Sequence, residues 1–490
     1  MSEQDSTSKM VQNSDSTALE SGPDSENKVE PGVDSSIIDW DGPDDIENPV
    51  NWPVRRRWAH IIMISTLGLI TNLAPTICAP SISSIVADLG ITSETVGTLA
   101  ITLYVLGIAV GPIIISPLSE VYGRLPVYHA ASLVFVAFVI GNALSNTTAQ
   151  FIVFRFISGC AGGVPMALGG GSIADLTQPP KRGMAMTLFS LGPLTGPVLG
   201  PLIGGFIAGS KGWRWTFWVL AIVGGAAGVV ALVVLRETHP RILLERKAAR
   251  LRAETGNVHL RSKLAVPLTP GRVLRRALTR PTMLLFRSPI LLVLSLYVGL
   301  VFGIMYLLFT TFVGVFEGQY GFTTSTSGLV YLGLGTSMIV AVPVFNTLNG
   351  RMIARATAQG LPGPRPEERL LPMIWFGPSV ATAELRVHWI APIIGTAFIG
   401  FGAFFVLMPV QLYLVNLFGS EYAASALSVT LLLRFVSGTF LPLAGPIMYQ
   451  TLHYGWGNSL LALLTVVFLP FPILFYKYGE RLRAKTAVKF

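Results

Sequence analysis

The residues able to do chemistry in this 490-residue chain are few, and they lie in or beside apolar runs. Arg155 and Arg434 fall inside stretches with no other charge. A guanidinium in such a setting is costly unless paired or wet, so each marks a functional position by default. The polar residues nearest Arg155 are Asn72 and Thr76, with Asp88 and Glu94 just beyond; those nearest Arg434 are Gln411, Tyr413 and Asn416. Glu120 and Arg124 stand four residues apart around Gly123, a spacing that lets them pair with each other across a tight turn, or with a neighbouring helix end. Asp175 ends a later apolar run, just before Lys181 and Arg182, and is placed to join that cluster. This chemistry is charge pairing rather than bond cleavage. Two cysteines, Cys78 and Cys160, and six scattered histidines offer neither a disulfide framework nor metal-ligand spacing. No phosphate-binding Gly-Lys-Ser/Thr loop follows a strand, and no acids or histidines cluster at depth. An enzyme, a metal, a cofactor and nucleotide-driven work are therefore not expected.

Small residues carry a second signal. Gly192, Gly196, Gly200 and Gly204 recur every fourth position, and Pro193, Pro197 and Pro201 follow three of them. Period four places the glycines along one helical stripe, where another helix can approach closely. Each proline removes a backbone donor and favours bending. Generic packing explains one Gly-xxx-Gly, not three consecutive Gly-Pro pairs.

These residues need membrane helices to position them. The chain is 51% hydrophobic and 12% charged, with a mean hydropathy of +0.60. A soluble domain carries about twice that charge. About 20 apolar residues make a span. Candidates cover 58–80, 95–116, 126–144, 151–174, 184–207 and 216–235, then 288–312, 325–348, 370–383, 388–416, 422–449 and 456–476. This predicts an all-α polytopic membrane protein of about 12 spans in two six-helix bundles, 51–235 and 288–476.

The net charge of +9 conceals an asymmetry. Residues 1–50 hold thirteen acids and two bases, and read as a disordered acidic tail. The linker 236–287 holds thirteen bases against three glutamates, in places amphipathic. It reads as a solvated linker with a surface helix, with docking to anionic lipid as the alternative. A basic tail, 477–490, ends the chain. With both termini cytoplasmic, 30 of the 35 Lys and Arg fall inside and three outside, as the positive-inside rule requires. The basic pI of about 9.6 then needs no nucleic-acid partner.

The stretch Ser116-Pro117-Leu118-Ser119-Glu120-Val121-Tyr122-Gly123-Arg124-Leu125 resembles the loop signature of the major facilitator superfamily, with Ser116 in place of a common Gly and Leu125 in place of a second base. Phe154-Arg155-Phe156-Ile157-Ser158-Gly159 resembles that family's fourth-span arginine motif, and the Gly-Pro stripe its antiporter motif. Asn48–Pro53, Gly212–Trp218, Arg236-Glu237-Thr238 and Tyr454–Gly457 are similar to the fungal twelve-span drug:proton antiporters, which include multidrug and polyamine exporters. The resemblance implies the major facilitator fold. It also implies alternating access, with Arg155 in proton coupling and Glu120, Arg124 and Asp175 in gating at the inner rim. It places spans 1, 4, 7 and 10 around a central path. Asn72, Tyr306 and Gln411 are then cavity candidates, beside Tyr104 and Arg434; Arg434 either faces the cavity and orders a polar substrate or ties helices together. The implied function is export of a small organic compound, a drug, toxin or secondary metabolite, by proton antiport. The implied setting is a monomer in the plasma membrane. Nutrient uptake by symport and a non-transporting sensor are the alternatives.

One segment does not fit easily. At about 1.5 Å per residue, an α-helix over 370–383 reaches only about 21 Å, against roughly 30 Å of hydrocarbon. Either the bilayer thins there or part of an exon is missing. Asn146-Thr147-Thr148 matches a glycosylation sequon, but its short loop beside the membrane predicts no use.

Overall fold

The computed structural model describes residues 36–265, 270–361, 364–381 and 388–485. The first bundle opens with α1 (Val54–Leu73), which leads through a 3-10 turn into α2 (Ile82–Asp88). It continues with α3 (Glu94–Tyr122), α4 (Arg124–Leu144), and α5 (Thr148–Gly162) with α6 (Val164–Leu176), which make one crossing, then α7 (Pro179–Lys211) and α8 (Trp213–Val234). The connecting region holds α9 (Pro240–Thr255) and α10 (Pro270–Arg287). The second bundle has α11 (Pro289–Tyr320), α12 (Thr324–Ser327), α13 (Tyr331–Ala358), α14 (Leu371–Phe376), α15 (Ile390–Phe440), α16 (Gly445–Phe468) and α17 (Pro470–Lys485). Among the described residues, nine helical stretches are long and apolar enough to cross a membrane. Some of them hold more than one crossing, and the contacts along α11 show where the chain reverses.

Ile399 lies beside Ile304 and Leu308, and Val406 beside Tyr297, so the first part of α15 runs antiparallel to α11. Ser295 then meets Thr430, Gly299 meets Ser437 and Gly303 meets Leu441, so the later part runs parallel. The chain has therefore turned between Leu407 and Thr430. A second reversal sits inside α16 at His453, whose φ of 58° breaks the helix. Beyond it Asn458 lines the same niche as Ile304 and Leu308, and Phe468 stacks on Tyr297 at 5.4 Å. Three consecutive crossings thus pack along one helix. α11 is apolar all round and buried on most faces, as a central helix must be.

The short ninth segment also crosses. Glu367 packs against Gly479 at one end of the bundle, and Trp389 meets Phe322 at the other. Between them α14 is flanked by 3-10 turns, Pro366–Leu370 and Gly377–Ala381. At about 2.0 Å per 3-10 residue and 1.5 Å per α residue, this run reaches about 29 Å, close to a hydrocarbon thickness.

Residues 36–50 are ordered against the linker, where the sequence predicts a disordered tail to residue 50. Ile37–Ile38 pairs in parallel with Arg261–Ser262. Asp41 and Asp45 lie 2.6 and 3.3 Å from Lys247 of α9, Glu47 lies 2.8 Å from Arg250, and Asp39 lies 2.5 Å from Lys263. Opposite charge on two distant segments supplies what low hydrophobicity alone does not.

Candidate functional site: charged rims and buried arginines

α3 and α4 are joined by a single residue, Gly123, whose φ of 98° suits glycine. That turn aims Arg124 at the end of α6. Its Nε lies 2.9 Å from Asp175 Oδ2, an ion pair without hydrogen-bond angles, and its Nη1 donates to the Leu168 carbonyl at 3.0 Å. The expected Glu120–Arg124 pair does not form. The sharp turn at Gly123 sends α3 and α4 apart, and Glu120 is left exposed.

The acid that does sit at this turn is Glu237. It is 4% exposed and its carboxylate accepts four backbone N–H groups, those of Arg124, Leu125, Thr238 and His239, at 2.9–3.2 Å. It thus caps the start of α4, where orphan donors and the helix dipole favour an anion. A side chain at Gly123 would strike this carboxylate. Glu237 stands in the Arg-Glu-Thr triplet already singled out by resemblance. Its role was not legible there, because two of its four partners, the N–H groups that start α4, lie 113 and 112 residues away. Burial, then the charge of Arg124, pushes neighbouring His239 down to about 4.

The opposite end repeats the arrangement. Gly212, φ 88°, is the single residue joining α7 to α8. Arg214 just after it pairs with Asp88 at the end of α2, and Trp213 Nε1 donates to the same carboxylate at 3.0 Å. These bonds hold the Asp88 carboxyl below its usual range, Arg214 first. Glycine turn, following arginine and aspartate at a helix end recur at the two ends, as inverted three-helix repeats would place them. This pair is more exposed, 38% and 48% for its side chains against 15% and 14% for Arg124 and Asp175.

Arg155 is 1% exposed and has no carboxylate beside it. Its guanidinium donates to four carbonyls: Ala74 and Pro75 beyond α1, and Ala100 and Ile101 of α3, at 2.8–3.1 Å. Tyr104 lies 4.9 Å from it, face on, and donates its own hydroxyl to the Thr71 carbonyl. The polar partners are backbone groups at the broken end of α1, which is why no acid was visible in sequence. Arg155 ties α1, α3 and α5 together.

The glycine stripe faces α1. A Cβ on Gly192 would sit 2.9 Å from Leu69 N, on Gly196 2.7 Å from Asn72 Cβ, and on Gly200 2.9 Å from the Leu73 carbonyl. On Gly204 it would strike the Ile77 carbonyl. The two backbones are in contact along the stripe, and α7 stays helical through Pro193, Pro197 and Pro201. A second face of α7 meets the other bundle: Val198 against Gly335, Pro201 against Gly328 and Gly205 against Thr324.

The remaining cavity candidates separate. Asn72 spends its amide on the Gly68 carbonyl at 2.7 Å and packs on the stripe. Gln411 is half-buried. Tyr306 and Arg434 come together: Phe302 packs on Tyr306 at 4.9 Å, and Arg434 lies 4.7 Å from the rings of both Phe302 and Phe435. Among the described residues no group of His, Cys, Asp and Glu is arranged to hold a metal.

Residues 64–442 match the model of the Major Facilitator Superfamily. The chain is 50% identical to the MFS transporter prlG of Fungal sp. (strain NRRL 50135) over 460 residues, covering 92% of this chain and 97% of that protein. It is 44% identical to the trichosetin biosynthesis cluster MFS transporter of Gibberella fujikuroi, covering 94% and 91%. Among solved structures, a D-xylose–proton symporter superposes with a TM-score of 0.58 at 16% identity, over 85% of this chain and 98% of that one. That likeness is one of fold: two six-helix bundles. The relatives are transporters and not enzymes. On a match spanning most of its length, the chain belongs to the Major Facilitator Superfamily.

Proposed function

We propose that this protein exports a small organic compound, of the drug, toxin or secondary-metabolite kind, by proton antiport with alternating access. The reading places it in the fungal drug:proton antiporter subgroup, as a plasma-membrane monomer with both termini cytoplasmic. The observation that carries it is the Gly192–Gly204 stripe pressed on the α1 backbone, with the other face of α7 on the second bundle. Three Gly-Pro pairs at period four exceed what helix packing requires. Two further points support it: a relative named for a biosynthesis cluster, and charge pairs at both ends of the first bundle.

The test is compound accumulation in a transporter-poor host expressing the full chain, with and without a proton uncoupler. Lower accumulation that the uncoupler restores supports the reading. Uptake instead of efflux would favour symport, and efflux indifferent to the uncoupler would remove the proton from it.

A further inference from the structure

Arg434 differs from every other buried cation here. It is 7% exposed, its Nε is a buried donor without a hydrogen-bond partner, and among the described residues it forms no ion pair with a carboxylate. Arg155 satisfies its donors on four carbonyls, Arg124 has Asp175, and Lys247 has Asp41 and Asp45. Among the described residues, Arg434 has the faces of Phe302 and Phe435 in place of such partners. Ring faces offset part of the cost of a buried cation but leave its N–H donors empty. Tyr306 packs on Gly438, one turn beyond Arg434, and on Phe302, whose ring also lies against Arg434. The position is at the meeting of the bundles, since Thr439, five residues on, donates to the Thr102 carbonyl of α3. Arg434 and Tyr306 therefore share one aromatic niche beside the seam between the bundles, and among the described residues no acid pairs with Arg434.

Resting on the transport reading, we propose that Arg434 is the counter-ion for the acidic group of the transported compound, a hydrophobic organic monoanion. A guanidinium presents a planar fork that fits two acceptor oxygens, as in a carboxylate. Aromatic walls suit an apolar body and give a small inorganic ion nothing in exchange for its hydration shell. Tyr306 supplies a hydroxyl beside the fork. A cationic substrate is disfavoured by the same positive interior.

The experiment uses the full chain in nanodiscs of zwitterionic lipid, which removes anionic headgroups as competitors. Probes are 2-naphthoate, its neutral amide 2-naphthamide, and sodium chloride. Naphthoate is expected to bind about tenfold tighter than the amide, the size of one charge-assisted hydrogen-bond difference. Arg434→Gln removes the preference, and Arg434→Lys, which keeps the charge and loses the fork, retains part of it. Chloride does not displace naphthoate at matched concentration. Equal affinities in the unaltered protein overturn the proposal, as does a preference that survives Arg434→Gln, or displacement by chloride. If Arg434→Gln does not fold, Arg434→Lys decides: an undiminished preference overturns the role of the fork. No gradient is present, so the outcome is independent of whether export is proton-driven.

Discussion

Arg124 and Asp175 meet at 2.9 Å with both side chains largely buried, while Glu120, four residues before Arg124, stays in solvent. The ion pair therefore joins α4 to α6 and not the two sides of its own loop. Removing one partner leaves the other charge uncompensated, which typically costs about 3 kcal/mol or more. Arg124→Gln and Asp175→Asn should each strongly reduce transport, and the double variant should lose less than the two losses combined. Glu120→Ala should transport nearly normally. Initial rates at matched membrane expression check all four.

The pair at the other end, Arg214 and Asp88, should act in the opposite sense. Asp88→Asn is expected to shift the molecule toward exposing that end, and Asp175→Asn toward exposing the Arg124 end. Labelling of single cysteines placed at each rim reads the shift. Greater exposure makes the Asp88 change the smaller of the two. A shift in the same direction for both would remove the mirrored-latch relation.

Along the stripe, Gly204→Ala should abolish transport, because its new Cβ collides with the Ile77 carbonyl. Gly196→Leu and Gly200→Leu should do the same. Gly314→Ala, where a Cβ meets nothing within 4 Å, is the matched control and should be neutral. Flux together with size-exclusion profiles separates lost function from lost folding.

Acid should weaken the contact between linker and bundle through His239. Its folded pKa, about 4, lies below the ordinary 6.5, so the unfolded chain holds more protons between those values. This contribution is intact above about pH 6.5 and declines as pH falls toward about 4. The melting temperature should drop across that window, and His239→Gln should flatten the drop.

Lys247→Ala should free the 36–51 segment, since Lys247 is 5% exposed and bonded to two aspartates. Faster proteolysis within 36–51, with an unchanged melt for the bundles, is the expected result.

The two-bundle plan was legible in sequence because apolar length and base distribution report directly on crossings. The stripe was legible too, because period four is a geometric statement. The partners were not. Arg155 is held by carbonyls, and every residue has one, so composition is silent about which carbonyls converge. Glu237 acts on backbone N–H groups more than a hundred residues away. The ninth crossing looked too short because α-helical rise was assumed where the chain adopts 3-10 turns. Residues 36–50 looked unable to order because their complement lies some two hundred residues downstream.

α7 is seated on backbone on both of its faces. Toward α1, Gly204 lies against the Ile77 carbonyl; toward the second bundle, Gly328 lies against the Pro201 carbonyl and Gly205 against the Thr324 carbonyl, with Val198 alone offering a side chain, to Gly335. Neither seam has room for one more methyl group, which makes α7 the keystone of the molecule: bulk added on one face would push α1 away, and bulk added on the other would part the two halves.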